Sequence, residues 1–519
     1  MTADSEPWHP ERAPLLGDSF QDDDPRDFPA ADGAELEDID VKQPRHTSAV
    51  RFQARSPGTI ITLLSVLLFL IATSGMMIML PVFRLLEDAL CHQFYQLPPD
   101  TSIPEKECKV EEVQTQLAYL GGWAAVMNSL VGLVAALPYG VLADRIGRKP
   151  AFILSYVGII LGFAWGPLNL YFMQTPNLYL VIVSCLWFLI GGGVPVAMNT
   201  LHAMASDLAM NKSTGFLYLS FGAVCGGLTG PVLSGLLMEV YGPWVPILLV
   251  FALTPFILGL LCFVPETLQR TRLAPAKTHP QGSSWMHTVW DGLREVMVSV
   301  GLVKDGSLVL ALVPFVIEPA LFAAYSTTLS QHVSTYFGWS LAQTSYRLSP
   351  PLSILHLIVI LLLPKMSNLL NSLTTFQRDL TLAKMSLSLL IAGALLEGFS
   401  RKNLVVFLVG LSVGTLGSGR NPLSRAIATA FVRPEQTSRL YALISMLETG
   451  GAVIGGPVLA WCFSTGLAKA GGWVGLPWFY IALLVSLALG ALMFVRRPEE
   501  RPEGRGDGDG DVGCRSEGD

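Results

Sequence analysis

Arg420 and Arg425 lie in "GSGRNPLSRA" (417–426), directly after sixteen residues, Leu404 to Gly419, that carry no charge. A guanidinium in hydrocarbon costs at least ~2.5 kcal/mol, so such a residue needs a partner, a water-filled cavity or a nearby interface. Two carboxylates stand in comparable surroundings. Glu318 sits in "LVPFVIEPALFAAY" between Pro314 and Pro319, and Glu448 lies midway along another apolar run. An acid in such a place can take up and release a proton, and an arginine can hold it as a counter-charge. The expectation is that Arg420 answers Glu318 or Glu448, while Arg425, a turn or more further on, snorkels to the interface. His202 and His356 are further side chains of the one type whose charge ordinarily changes near neutrality, and each reads first as structural.

The composition says what positions these residues. The chain has 519 residues, 51% hydrophobic and only 14% charged, with a mean hydropathy of +0.49. A soluble domain carries about 25% charged residues. The net charge of −6 comes largely from the acidic N-terminus and the tail after Arg501, and gives no hint of nucleic acid. A span needs about 20 apolar residues. Twelve such runs are read at 58–83, 114–139, 150–172, 178–200, 215–238, 244–264, 307–330, 341–363, 380–399, 403–425, 438–463 and 475–495. The fold class is therefore an all-α membrane protein of twelve transmembrane helices. The expected organisation is a disordered N-terminus (1–57), a first six-helix bundle (58–264), a central loop (265–306), a second bundle (307–495) and a disordered tail (496–519). No cleavable signal peptide is expected, because the first 55 or so residues are polar and the first apolar run is long enough to span.

Lys and Arg set the orientation. Lys42, Arg45, Arg51 and Arg55, then Arg145, Arg148 and Lys149, then five basic residues between Arg270 and Lys304, then Arg496, Arg497 and Arg501 all fall on one face, which places both termini in the cytoplasm. The long loop on the other face holds Cys91 and Cys108, which form a disulfide in an oxidising compartment or remain two thiols. The other cysteines, Cys185, Cys225, Cys262, Cys462 and Cys514, read as small apolar filler or tail.

The halves repeat each other. "NTLHAMASDLAMNKSTGFLY" (199–218) followed by "GPVL" (230–233) parallels "NPLSRAIATAFVRPEQTSRLY" (421–441) followed by "GPVL" (456–459), at offsets of 222, 223 and 226 residues. Duplicated units of this kind build many secondary transporters, so the two bundles are expected to be pseudo-symmetric.

The turn between the second and third runs, "GVLADRIGRKPAF" (140–152), resembles the loop motif of the major facilitator superfamily at Gly140, Leu142, Ala143, Asp144, Arg145, Gly147, Arg148 and Lys149. Physically, glycines reverse the backbone, Asp144 suits the positive N-terminus of a neighbouring helix, and Asp207 is the expected partner of Arg148. A second resemblance is "GGLTGPVLSG", which places Gly226, Gly230, Pro231 and Gly235 at the spacing of a motif found in the drug and metabolite antiporters of that family. Small residues four apart also let helices approach closely. "PET" (265–267) matches a further family feature. The chain departs from the pattern in two places. The loop between runs 8 and 9 keeps only Lys365, Arg378 and Asp379, and run 4 lacks the arginine of many proton-coupled members. The resemblance implies a fungal-type exporter in which spans 1, 4, 7 and 10 line a central cavity. Glu318, Arg420 and Glu448 then form the proton or substrate site, and Trp187, Asn199, Tyr325 and Asn421 are substrate contacts.

Enzyme chemistry is disfavoured: there is no phosphate loop and no H-E-x-x-H site. The tail "DGDGDVG" imitates a calcium loop but has Val512 at the glycine position and Gly518 where a glutamate is required. No cofactor or metal is implied. The sequon "NKS" (211–213) falls on the cytoplasmic face, where it stays unglycosylated. The expected activity is proton-driven efflux of a small organic molecule by a monomer in the lipid bilayer of the plasma membrane. Proton-coupled nutrient import and a non-transporting sensor of the same fold are the alternatives. "ERAPLL", with Glu11, Leu15 and Leu16, matches a sorting signal for vacuolar or endosomal membranes.

The topology gives the first test. A reporter fused after Lys277 should read cytoplasmic, and after reduction Cys91 and Cys108 should react with an impermeant thiol reagent from outside. Reaction only after permeabilisation would reverse the orientation for a surface protein.

Overall fold

The computed structural model describes residues 53–98, 101–172, 179–208, 212–267, 306–370, 372–401, 403–432, 437–469 and 471–496. Both chain ends, the sorting signal, Cys514 and most of the central loop lie outside the described residues, as do the side chains of Asp144 and Arg145. All regular elements among the described residues are helical, and twelve helices are long and apolar enough to cross a membrane. They are span 1 (Pro57–Tyr95), span 2 (Glu111–Ala135), span 3 (Arg148–Phe172), span 4 (Leu180–Ala205), span 5 (Tyr218–Tyr241), span 6 (Trp244–Cys262), span 7 (Gly306–Phe337), span 8 (Leu341–Leu369), span 9 (Thr375–Phe399), span 10 (Leu404–Thr429), span 11 (Leu443–Lys469) and span 12 (Gly471–Met493).

The largest apolar core of each half joins four of its helices. In the first, Leu64, Leu67, Phe152, Leu201, Met204 and Leu261 join spans 1, 3, 4 and 6. In the second, Leu321, Leu387, Phe407, Trp478 and Val485 join spans 7, 9, 10 and 12. Small residues form the tightest seams. A Cβ on Gly226 would lie 2.5 Å from the Phe69 carbonyl oxygen of span 1, and one on Gly230 would lie 2.7 Å from that of Thr73. Ser65 and Ser234 donate to the carbonyls of Tyr218 and Met77 across the same seam, at 2.6 and 2.8 Å. In the second half, Gly451 and Gly455 of span 11 sit equally close to Val316 and Ala320 of span 7. The halves meet where Gly235 faces span 8 at Ala342 and Tyr346, and where Gly456 faces Gly122 of span 2.

The structure departs from the sequence expectation in four spans. Span 1 continues well past residue 83, because Arg84 pairs with Glu87 (3.1 Å) and Asp88 (3.7 Å) at i,i+3 and i,i+4 and so extends the helix beyond its apolar stretch. Span 4 is broken. Its first part is a short α-turn and a 3-10 segment (Val183–Leu189), its second a helix from Gly193 to Leu208, and between them Gly191, Gly192 and Gly193 take φ of +84°, +84° and +63°. A left-handed run of this kind needs glycine. Span 10 is interrupted too, by a 3-10 turn at Gly417–Gly419, and span 7 carries a π-turn at Ala324–Thr328.

Overpacking a close seam costs about 1–3 kcal/mol. Gly226→Val should therefore lower the thermal unfolding midpoint of the purified protein clearly, whereas Gly227→Ala, whose new methyl meets nothing within 4 Å, should leave it nearly unchanged. Equal midpoints for the two would remove the seam's role in holding spans 1 and 5 together.

Candidate functional site

The 3-10 turn in span 10 delivers Arg420 to span 7 at the level of the Pro314–Pro319 segment. Its Nε and Nη2 donate to the two carboxylate oxygens of Glu318 at 3.2 and 3.0 Å, a two-pronged pair that fixes orientation as well as charge. Asn421 adds a third bond to Glu318 at 3.2 Å, and its side-chain oxygen accepts from Arg425 Nε at 2.9 Å. Arg425 in turn donates to Glu448 of span 11 at 2.9 Å, and its guanidinium lies 5.5 Å from the ring centre of Phe315 and 5.8 Å from that of Tyr441. Arg420, Glu318, Asn421, Arg425 and Glu448 thus form one connected network across spans 7, 10 and 11. One expectation is corrected here: Arg425 is held by Glu448 and does not simply snorkel. Of the two partners expected for Arg420, Glu318 is the one that holds it. Asn421, expected only as a substrate contact, is the link between the pairs.

Arg420 and Glu318 stay 20% and 25% exposed, so the pair is neither dry nor freely solvated. A space of about 10 Å³, room for roughly one water, lies beside them, lined by Pro314, Phe315, Leu387 and Ser424. The first half is different at the equivalent position. Met198, 222 residues before Arg420, lines an apolar cavity of about 280 Å³ among spans 1, 3, 4, 5 and 6, together with Ile71, Tyr156, Phe163, Phe251 and Thr254. Trp187 packs on Trp165 in that half, and Asn199, the counterpart of Asn421, is exposed. His202 holds the Met198 carbonyl at 2.8 Å. None of these three touches the ion network.

The loop motif is anchored from the end of span 6. Glu266 of "PET" accepts from the backbone amides of Arg148 (2.9 Å) and Lys149 (3.1 Å), placing a carboxylate on the N-terminus of span 3. This is the kind of position expected for Asp144. Gly147, at φ +114°, leaves room for it, since a Cβ there would lie 2.7 Å from Glu266 Oε2. Arg148 Nε lies 3.6 Å from Asp207, and Lys149 Nζ donates to the Val264 carbonyl at 2.9 Å.

The opposite face carries a latch. Cys91 and Cys108 are joined by a disulfide, which holds the Glu105–Cys108 turn against the end of span 1. Glu87, fully buried, accepts from Arg84, Lys109 and Gln114 at 3.1, 2.6 and 2.6 Å. Glu105 reaches the other half, accepting from the Leu341 amide at the start of span 8 (2.8 Å) and from Ser334 (3.4 Å). Gln331 donates to Gln114 at 3.0 Å, and Ser340 and Gln343 donate to Glu239 at 3.2 and 3.1 Å. Among the described residues, the hydrogen bonds between the halves all lie toward this loop-1 face.

Residues 111–456 match the model of the Major Facilitator Superfamily. The chain belongs to this family. It is a secondary transporter and not an enzyme, a multi-pass membrane protein that moves a small molecule. It is 32% identical over 443 residues to the MFS efflux pump atnC of Emericella nidulans, covering 82% of this chain and 85% of that one. It is 28% identical to the MFS-type transporter aprT of Aspergillus flavus, covering 90% and 95%. Among solved structures, the human organic anion transporter MFSD10 superposes with a TM-score of 0.55 at 16% identity, over 85% of this chain and all of that one. A D-xylose–proton symporter superposes with a TM-score of 0.58 at 13% identity, over 85% and 98%. At those identities the structural likeness speaks for the superfamily fold alone.

If the network is as drawn, double-mutant cycles on unfolding free energy should give coupling in the 0.5–3 kcal/mol range expected of contacting residues for Arg420 with Glu318 and for Arg425 with Glu448. The crossed pair, Arg420 with Glu448, should fall below both by about 0.5 kcal/mol or more. Equal couplings for all three would contradict the assignment of partners.

Proposed function

We propose that this superfamily member exports a small organic molecule in exchange for protons, with Glu318 and Arg420 as the coupling site. The observation that carries the reading is the two-pronged, partly exposed pair between spans 7 and 10, at the broken turn of span 10. While Glu318 carries its charge, a cationic or hydrogen-bond-donating group of the substrate takes the place of the Arg420 guanidinium on the carboxylate, and Arg420 turns to Asn421. A proton arriving on Glu318 removes the charge that holds that group, so the substrate leaves, and loss of the proton readies the carboxylate for the next substrate. Proton and substrate then compete for Glu318, which is what exchange requires. Glu448 fixes Arg425 and, through Asn421, the angle at which Glu318 is presented.

The relatives named as efflux pumps support the outward direction. The latch at the loop-1 face supports alternating access, with Glu105 and Glu239 as the contacts that must part when that face opens. The basic loops support cytoplasmic termini, and the disulfide supports an oxidising compartment on the loop-1 face, in keeping with our reading of a monomer in the plasma membrane.

The test is metabolite profiling of cells and medium for a deletion strain, the wild type and complemented strains. The expected result is a compound retained in deleted cells and returned to the medium by the wild-type gene, with export abolished by a protonophore. Glu318→Gln should reach the membrane at normal abundance but restore less than about a tenth of the export, the loss expected when a proton-transfer group worth at least tenfold is removed. A compound that deletion depletes from cells would make the protein an importer, and export indifferent to the protonophore would end the proton-exchange reading.

A further inference from the structure

The exchange reading leaves unexplained a second acid in the second half. Glu397, near the loop-1 end of span 9, is 1% exposed, and no Lys, Arg or His lies within ion-pair distance of it among the described residues. Its Oε2 accepts from the Tyr325 hydroxyl at 3.3 Å, and its Oε1 has no protein partner. Linked to it through Tyr325 are further buried polar atoms that also lack protein partners: Trp478 Nε1, both ring nitrogens of His332 and Tyr336 Oη. The rings are in contact. His332 lies 5.5 Å from Trp478 and 4.7 Å from Tyr336, and Tyr325 lies 5.7 Å from Trp478, centre to centre. Native proteins leave few buried polar groups unsatisfied, and a cluster of them calls for a functional account. Packing does not supply one, since a leucine would fill the buried place of Glu397 at lower cost than an acid without a counter-charge.

The cluster is aligned with the central pair. Glu318, Tyr325 and His332 follow one another at intervals of seven residues along span 7, each step about 10 Å along the axis, and Tyr325 and His332 both reach Trp478. The π-turn at Ala324–Thr328 falls at Tyr325. Span 10 lines the gap with Gly414, where a Cβ would come 3.7 Å from Glu397 Oε1 and 3.8 Å from Tyr325 Oη, so this glycine leaves the space beside the acid open. At the far end, Ser334, two residues beyond His332, bonds Glu105 of the loop-1 latch. Of the charged and titratable groups on neighbouring elements, Arg420 and Arg425 of span 10 are already held by Glu318 and Glu448. Span 8 brings Arg347, His356 and Lys365, span 7 brings Tyr325, His332 and Tyr336, and span 12 brings Tyr480 and no charge.

We propose that Glu397, with Tyr325 and His332, is a second proton-binding site, a way station between the loop-1 face and the Glu318–Arg420 pair. A proton enters from the loop-1 side past Tyr336 and His332, rests on the Glu397 carboxyl while Tyr325 holds the other oxygen, and passes along the Tyr325 side of span 7 to Glu318. One proton is gained and one lost at each group, and no other species is consumed. The role as a relay rests on the proton-exchange reading, whereas titration of Glu397 itself does not.

Infrared difference spectroscopy on the full-length protein in lipid nanodiscs separates the two, because it reads protonated carboxyl groups without any transported substrate. The wild type should show a carboxylic-acid carbonyl band that grows and fades with pH and shifts in D2O. Glu397→Gln should remove that component completely, Glu318→Gln should leave it, and Tyr325→Phe should keep it at a shifted frequency and midpoint. Glu397→Asp, which retains an acid, should move the midpoint, and it serves if the glutamine variant does not fold. A spectrum unchanged by Glu397→Gln, or a Glu397 band of constant height at every pH, overturns the proposal. So does a wild-type response of cellular export to external pH in the Glu397→Gln strain. If export proves indifferent to the protonophore while the band titrates, the proton-exchange reading fails and Glu397 stands as a proton-binding site only.

Discussion

A charge inside a membrane span must be answered by another group, and in this protein the answers are given across helices. Arg420 and Glu318 tie span 10 to span 7, Arg425 and Glu448 tie span 10 to span 11, and Asn421 joins the two pairs. Because leaving either partner alone is costly in hydrocarbon, each pair is a constraint on where a whole helix can sit. A group that changes its charge state therefore changes the cost of a helix arrangement, which is the coupling that alternating access needs.

Departures from regular helix fall on spans 7 and 10, which carry the network, and on span 4 of the other half. Span 4 breaks at three left-handed glycines, span 10 at Gly417–Gly419, and span 7 widens to a π-turn. Irregular backbone is tolerated at membrane depth only where protein or water covers it, and broken helices are common at the binding sites of transporters. The seams between spans 1 and 5 and between spans 7 and 11 are the opposite case, with glycines against carbonyls and few degrees of freedom. Each half therefore joins a stiff seam to broken helices.

The duplicated halves have diverged in chemistry more than in shape. Met198 and Arg420 occupy equivalent positions, and around them one half builds an apolar cavity and the other a charged network. An organic substrate with both apolar and polar parts would find complementary surroundings in a molecule divided in this way. The ends are fastened differently too: Glu266 caps span 3 within the first half, whereas Glu105 bridges the halves at the start of span 8.

The sequence by itself determined the twelve spans, their duplication, the loop motif and the exceptional status of Glu318, Arg420 and Glu448. All of these are written in local hydropathy, in spacing or in the rarity of charge within an apolar run, and none depends on which helix lies beside which. Which of the two acids goes to which arginine was decided by tertiary structure. Arg425 lies where snorkelling would suffice, and only the packing of span 11 brings Glu448 to it. Glu397 was hidden because a lone acid near the end of a span looks like an interfacial residue until spans 7 and 12 close over it with Tyr325 and Trp478. Glu266 gained its meaning when the end of span 6 met the first turn of span 3. The breaks in spans 4 and 10 have glycines as their signal, but glycine in a membrane helix marks a close approach as often as a turn, and only the backbone angles and the neighbouring helix distinguish the two.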